Sequence, residues 1–160
     1  MNTEIKIIIS SLQNVNSGTP WFGRAAYEML DEVNPGNVFI KPGNTAHSLI
    51  EIMYHMITWA DFTLKRIQKV KINDLAAAEN ADWRKIDMKV YSWKKGLSEF
   101  KGIHNKIISL LKEKDDSFLN EKVDYREYDF KFLLNVLIQH NIYHLGQIAY
   151  LNKMLSFTGK

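Results

Sequence analysis

The sequence predicts an all-α fold, a four-helix bundle with a long crossover connection and a broken first helix. Three observations predict it. Apolar residues recur at helical spacing in four long stretches, and no segment alternates with the period of two that a half-buried strand would show. Between the second and third stretches, Lys71 to Lys89 is too long for a tight turn and reads as a crossover. Each amphipathic helix must bury its stripe against another, and four such helices do so as a bundle. With 160 residues the chain fits a single domain, 1–160, large enough to bury a sizeable core.

Ile5, Ile8, Ile9 and Leu12 form the first stripe, which Asn16-Ser17-Gly18-Thr19-Pro20 interrupts. Thr19 is expected to cap a second run, with Pro20 in its first turn and Trp21, Phe22, Ala25, Ala26, Met29 and Leu30 on its apolar side. Asn34-Pro35-Gly36 ends that run, and Val38 to Gly43 reads as loop. Asn44 or Thr45 is expected to cap the second long helix, which runs to about Lys69. Leu49, Met53, Met56, Ala60, Leu64 and Ile67 make one stripe of it, and Ile52, His55, Trp59 and Phe62 a neighbouring one. Lys65, Arg66, Lys69 and Lys71 collect at its C-terminal end, where the helix dipole favours cations. A short Ala-Ala-Ala-Glu patch gives the crossover some helix. The third long helix is expected over about Lys89 to Lys114, with Trp93, Leu97, Phe100, His104, Ile107 and Leu111 in line. After a polar connection, Asp115 to Arg126, the fourth covers Lys131 to Met154.

Composition narrows the chemistry. There is no cysteine, which removes thiol nucleophiles and cysteine-type zinc sites and leaves histidine and carboxylates as the strong ligands. A net charge of +3, from 21 basic and 18 acidic residues, is spread over scattered lysines, a solubility feature and no nucleic-acid footprint. No apolar run reaches the ~18 residues of a membrane span, and the isoleucine run near the start is too short for a secretion signal. The expectation is a soluble, cytoplasmic protein.

The fourth helix carries His140 and His144 inside the stripe Phe130, Leu133, Leu137, Ile148 and Leu151. Four residues are about 400° of rotation and about 6 Å of rise, so the two imidazoles leave one face and can reach one metal ion. Hydrogen bonding inside a bundle is the plainer explanation of such a pair, since a buried imidazole needs partners for its nitrogens. A metal site open to chemistry takes three protein ligands, and the third could be His55, His104 or His47. His47 and His55 stand about 80° and about 12 Å apart on a helix and cannot share an ion. Glu51 is a candidate base or partner of a ligand, Tyr143 and Gln147 could orient one, and Trp59 and Trp93 read as core. The absence of His-Glu-x-x-His argues against the familiar metalloprotease mechanism.

The segments AHSLIEIMYHMITW, 46–59, and HNIYHLGQI, 140–148, together with the Pro20-Trp21-Phe22-Gly23 joint, resemble the DinB/YfiT-like superfamily of four-helix-bundle metalloenzymes. The resemblance covers most of the chain; Lys71 to Lys89 matches nothing in particular. It implies His55, His140 and His144 as the metal ligands and sets His104 aside. It implies a divalent metal, zinc first, with nickel, iron or manganese as alternatives. It also implies a homodimer and, as in members with known activity, transfer of a low-molecular-weight thiol such as bacillithiol or mycothiol to an electrophilic small molecule. A lysine-rich rim would be compatible with an anionic thiol. Two other functions remain open on the same residues, a metal-dependent hydrolase and a non-catalytic, stress-associated binding bundle.

Overall fold

The computed structural model describes residues 2–44, 46–70 and 75–157. Seven α-helices account for these, and among the described residues there is no strand, only an isolated bridge between Lys122 and Asp129. The four long helices are α1 (Thr3–Ser17), α3 (Leu49–Ile67), α5 (Trp93–Leu111) and α7 (Phe130–Phe157). Short α2 (Ala26–Asp31), α4 (Leu75–Ala81) and α6 (Asp116–Leu119) lie in the connections. Helix α3 packs against α5 and α7, and α1 closes the ring from the opposite side against the same two. This is the all-α bundle that the periodicity predicts.

The long second stripe does what its spacing demands: Leu49, Met53, Met56, Ala60, Leu64 and Ile67 are all buried. The closest approach of α3 to α5 depends on Gly96. A Cβ there would meet Met53 Cγ and Tyr54 Cε2 at 3.2 Å, so the missing side chain sets the separation. Trp93 is core, and its indole donates to the Leu30 carbonyl at 2.9 Å, tying α5 to α2. Asp116 of α6 accepts from the free backbone N–H groups of Thr3 and Ile5, each at 2.9 Å, and so satisfies the start of α1 from the far end of the chain.

Helix boundaries differ from expectation where local side chains take the backbone donors. Helix α2 starts at Ala26, not after Thr19. The Thr19 N–H is spent on the Asn14 side chain at 3.0 Å. Gly23 adopts φ 138°, a value no helix accommodates, so Pro20 opens a turn in place of a helix, and Trp21 and Phe22 face solvent. Helix α3 is capped by Ser48, in a reciprocal capping box with Glu51, which displaces Asn44; Thr45, like Lys71, lies outside the described residues. Ser92 likewise caps α5 four residues later than expected from Lys89. The polar connection 115–126 buries Phe118, Leu119 and Val123.

Candidate metal centre

Helix α3 contributes His55 and α7 contributes His140 and His144 to one cluster whose ligand atoms all lie within 4.8 Å of one another. His55 Nε2 and His140 Nε2 face each other at 2.9 Å. Two nitrogens held about 2.0–2.1 Å from one cation stand about 2.9–3.4 Å apart at coordination angles of about 90–110°.

The outward nitrogens of two of these imidazoles face an acceptor. His55 Nδ1 lies 2.6 Å from Asp82 Oδ1, in close contact though off the line of a hydrogen bond. A carboxylate can only accept, so the proton sits on Nδ1 and Nε2 keeps its lone pair. The same Asp82 oxygen accepts from Trp59 Nε1 at 2.6 Å. His144 Nδ1 donates to Gln147 Oε1 at 2.6 Å, which again leaves Nε2 with a lone pair. His140 Nδ1 is buried without a hydrogen-bond partner. Burial holds all three imidazoles neutral: it lowers His55 in spite of Asp82, lowers His144, and together with the neighbouring His144 and His55 brings His140 down to about 3. Three imidazoles kept neutral by burial and gathered within 4.8 Å, two of them with an acceptor behind, fit a divalent cation.

His104 is elsewhere. It is fully buried, its Nδ1 donates to the Phe100 carbonyl at 2.9 Å, and Asn141 Nδ2 donates to its Nε2 at 2.7 Å. With both nitrogens used and burial lowering its pKa to about 4, it is a neutral core group bridging α5 and α7. His47 is half exposed and outside the cluster, yet it bounds the site: its ring stacks at 3.6 Å on Trp83, which also stacks on His55 at 4.0 Å and meets His144 edge-on at 6.2 Å. Glu51 is not a partner of a ligand; its carboxylate is taken by Ser48 and by Lys41 at 2.7 Å.

Two site residues were not singled out from sequence, Asp82 and Trp83, both in the crossover. Tryptophan beside an acid in a stretch without periodicity carries no local signal. Trp59, read as core, lines the site as well. A cavity of about 810 Å³ opens beside the three histidines, walled by Ile52, Trp59, Trp83, Tyr143, Tyr150 and Met154 among others. No lysine, arginine or carboxylate is among its described lining residues, so the expected lysine-rich rim does not border it. Among the described residues, no helix is long and apolar enough to cross a membrane.

Residues 23–148 match the family model described as DinB superfamily. No curated protein matches the chain.

Proposed function

The chain belongs to the DinB superfamily, and from that premise we propose that it is a divalent-metal-dependent enzyme that transfers a low-molecular-weight thiol to an electrophilic small molecule, with His55, His140 and His144 as the ligands. The observation that carries the reading is the convergence of three neutral imidazoles on the wall of an 810 Å³ apolar cavity. Zinc suits such ligands best, and nickel, iron and manganese are the alternatives. A divalent cation held there supplies the positive charge that keeps a thiol ionised at neutral pH.

The residues of the chain do the rest. Asp82 fixes the tautomer of His55 and Gln147 that of His144. In the transfer, the sulfur lone pair forms the new C–S bond, the bond to the leaving group breaks with its electron pair, and the thiol proton passes to solvent. No described lining residue is a carboxylate, Glu51 is tied to Ser48 and Lys41, and Asp82 is tied to Trp59 and His55. A thiol, with a pKa of about 8.5 when free, needs only the cation to ionise it and no base from the chain.

The reading includes a homodimer through the outer face of α7. Val136, Tyr143, Tyr150 and Phe157 recur there every seventh residue, all exposed, with Phe132 and Met154 beside them; Tyr143, Tyr150 and Met154 also line the cavity, so the partner helix would border the mouth of the site. A seven-residue period is the seam of a helix pair, and it is self-complementary about its midpoint near Gly146, where a Cβ would meet no atom. The cysteine-free composition suits the cytoplasm.

The test is elemental analysis of tag-free protein and of His140→Ala and His144→Ala. One divalent ion per chain is expected in the wild type and a large loss in each variant. Thioether formation from thiol and electrophile is then followed by mass spectrometry. A folded wild type that takes up none of zinc, nickel, iron or manganese refutes the metal centre, and a loaded protein that yields only hydrolysis products refutes the transfer.

A further inference from the structure

The cavity beside the histidines also carries information about what enters it. Its described lining holds no lysine, arginine, aspartate or glutamate. Lys41, next to lining residue Pro42, is paired with Glu51 at 2.7 Å, and Arg84, next to lining residue Trp83, donates to the Ala81 carbonyl at 3.0 Å. Two of its polar groups are already engaged, the Trp59 indole N–H by Asp82 and the Gln147 carbonyl by His144, and those of Tyr143 and Tyr150 are uncharged hydroxyls. Away from the histidines, a charged group moved into such a space loses hydration without a counter-charge from the chain, which is costly. The volume of about 810 Å³ suits a molecule of drug-like size.

The walls also favour flat, π-bearing molecules. The rings of His47 and His55 lie at interplanar angles of 14° and 9° to Trp83, covering it so that it meets a ligand by its edge. Ring edges carry positive partial charge and suit the face of an aromatic guest. Tyr143 and Tyr150 add exposed rings and Met154 a pliable thioether.

We infer that the substrate portion held by this cavity is neutral, apolar and aromatic, and that the anionic part of any thiol stays outside the lining. This rests on the reading of the site as a metal-dependent transferase but is tested apart from it. The full chain, both zinc-loaded and after chelation, is titrated calorimetrically with 2-naphthalenemethanol and with 2-naphthalenesulfonate, which share a ring and differ in charge. The neutral probe is expected to bind the chelated chain at least about tenfold more tightly than the sulfonate. Ala46→Lys, which places a cation on the exposed rim without touching the histidines, is expected to reverse that preference. Trp83→Ala is expected to weaken the neutral probe about fivefold to tenfold. Equal or tighter binding of sulfonate by the chelated wild type overturns the inference, as does failure of the neutral probe to bind either form. Neutral binding by a chain that takes up no metal upholds this inference and refutes the metal centre; full metal loading without neutral binding does the reverse.

Discussion

Replacing Asp82 by alanine removes the oxygen that His55 Nδ1 and Trp59 Nε1 both approach at 2.6 Å. Without it His55 can carry its proton on either nitrogen, and the fraction with the proton on Nε2 offers no lone pair to a cation. Groups of this kind behind metal-ligating histidines contribute about 10–100-fold to metal affinity. Because one oxygen orients both the ligand and the indole beside it, Asp82→Ala should fall at the upper end, about 100-fold or about 2.7 kcal/mol. Asp82→Asn keeps an acceptor oxygen while losing the charge, and should cost about tenfold, about 1.4 kcal/mol. The assay is competition for zinc against a chromophoric chelator at pH 7, with circular dichroism to verify that each variant is helical. An Asp82→Ala protein that is folded and binds zinc within twofold of the wild type would refute the assignment of Asp82 and leave His55 oriented by packing alone.

Four other outcomes follow from the geometry. His104→Gln should keep one metal ion per chain, because both nitrogens of His104 serve Phe100 and Asn141; loss of metal by elemental analysis would move His104 into the ligand set. The same residue makes metal-free stability pH-dependent: its folded pKa of about 4 lies below the ordinary 6.5, so the unfolded chain takes up the proton first. Its contribution is complete above about pH 6.5 and is lost as pH falls toward 4, about 2 kcal/mol by pH 5, and urea unfolding of His104→Gln should show that much less pH dependence. Gly96→Ala should destabilise the fold by about 1–3 kcal/mol, read as a lowered urea midpoint, because its methyl meets Met53 and Tyr54 at 3.2 Å. Val136→Glu should yield monomer by light scattering at concentrations where the wild type is dimeric, and an unchanged mass would remove α7 as the seam.

The architecture was legible because four stripes at helical spacing must be buried, and residues such as Met53, Phe100 and Leu137 are. The histidine cluster was legible in part: the pair on α7 is a local pattern, whereas the choice between His55 and His104 needed the family resemblance, since both occupy apolar stripes. What decided it in three dimensions is a polar partner across the bundle, Asn141, which no spacing rule on α5 reveals. The Ser48–Glu51 box was readable as Ser-x-x-Glu but was outcompeted by the more conspicuous Pro-Gly-Asn upstream. Asp82 and Trp83 were not legible at all. They act through where the crossover returns, which is a property of tertiary packing.

The two buried polar constellations on α7 are linked by geometry. Asn141 follows His140 by about 100° and His144 by about 40° from His140, so a helix rotated to pair Asn141 with His104 necessarily turns both metal-site imidazoles toward α3. An unpaired buried polar group costs about 1–3 kcal/mol; the observed packing pairs the Asn141 Nδ2 donor with His104, though its Oδ1 has no partner, and a rotated or slipped α7 would lose the Nδ2 bond as well. Apolar residues such as Leu133, Leu137 and Ile148 supply burial but tolerate small rotations, since one leucine resembles another to its neighbours. The His104–Asn141 bond is thus a specific polar tie between α5 and α7, one residue along α7 from His140.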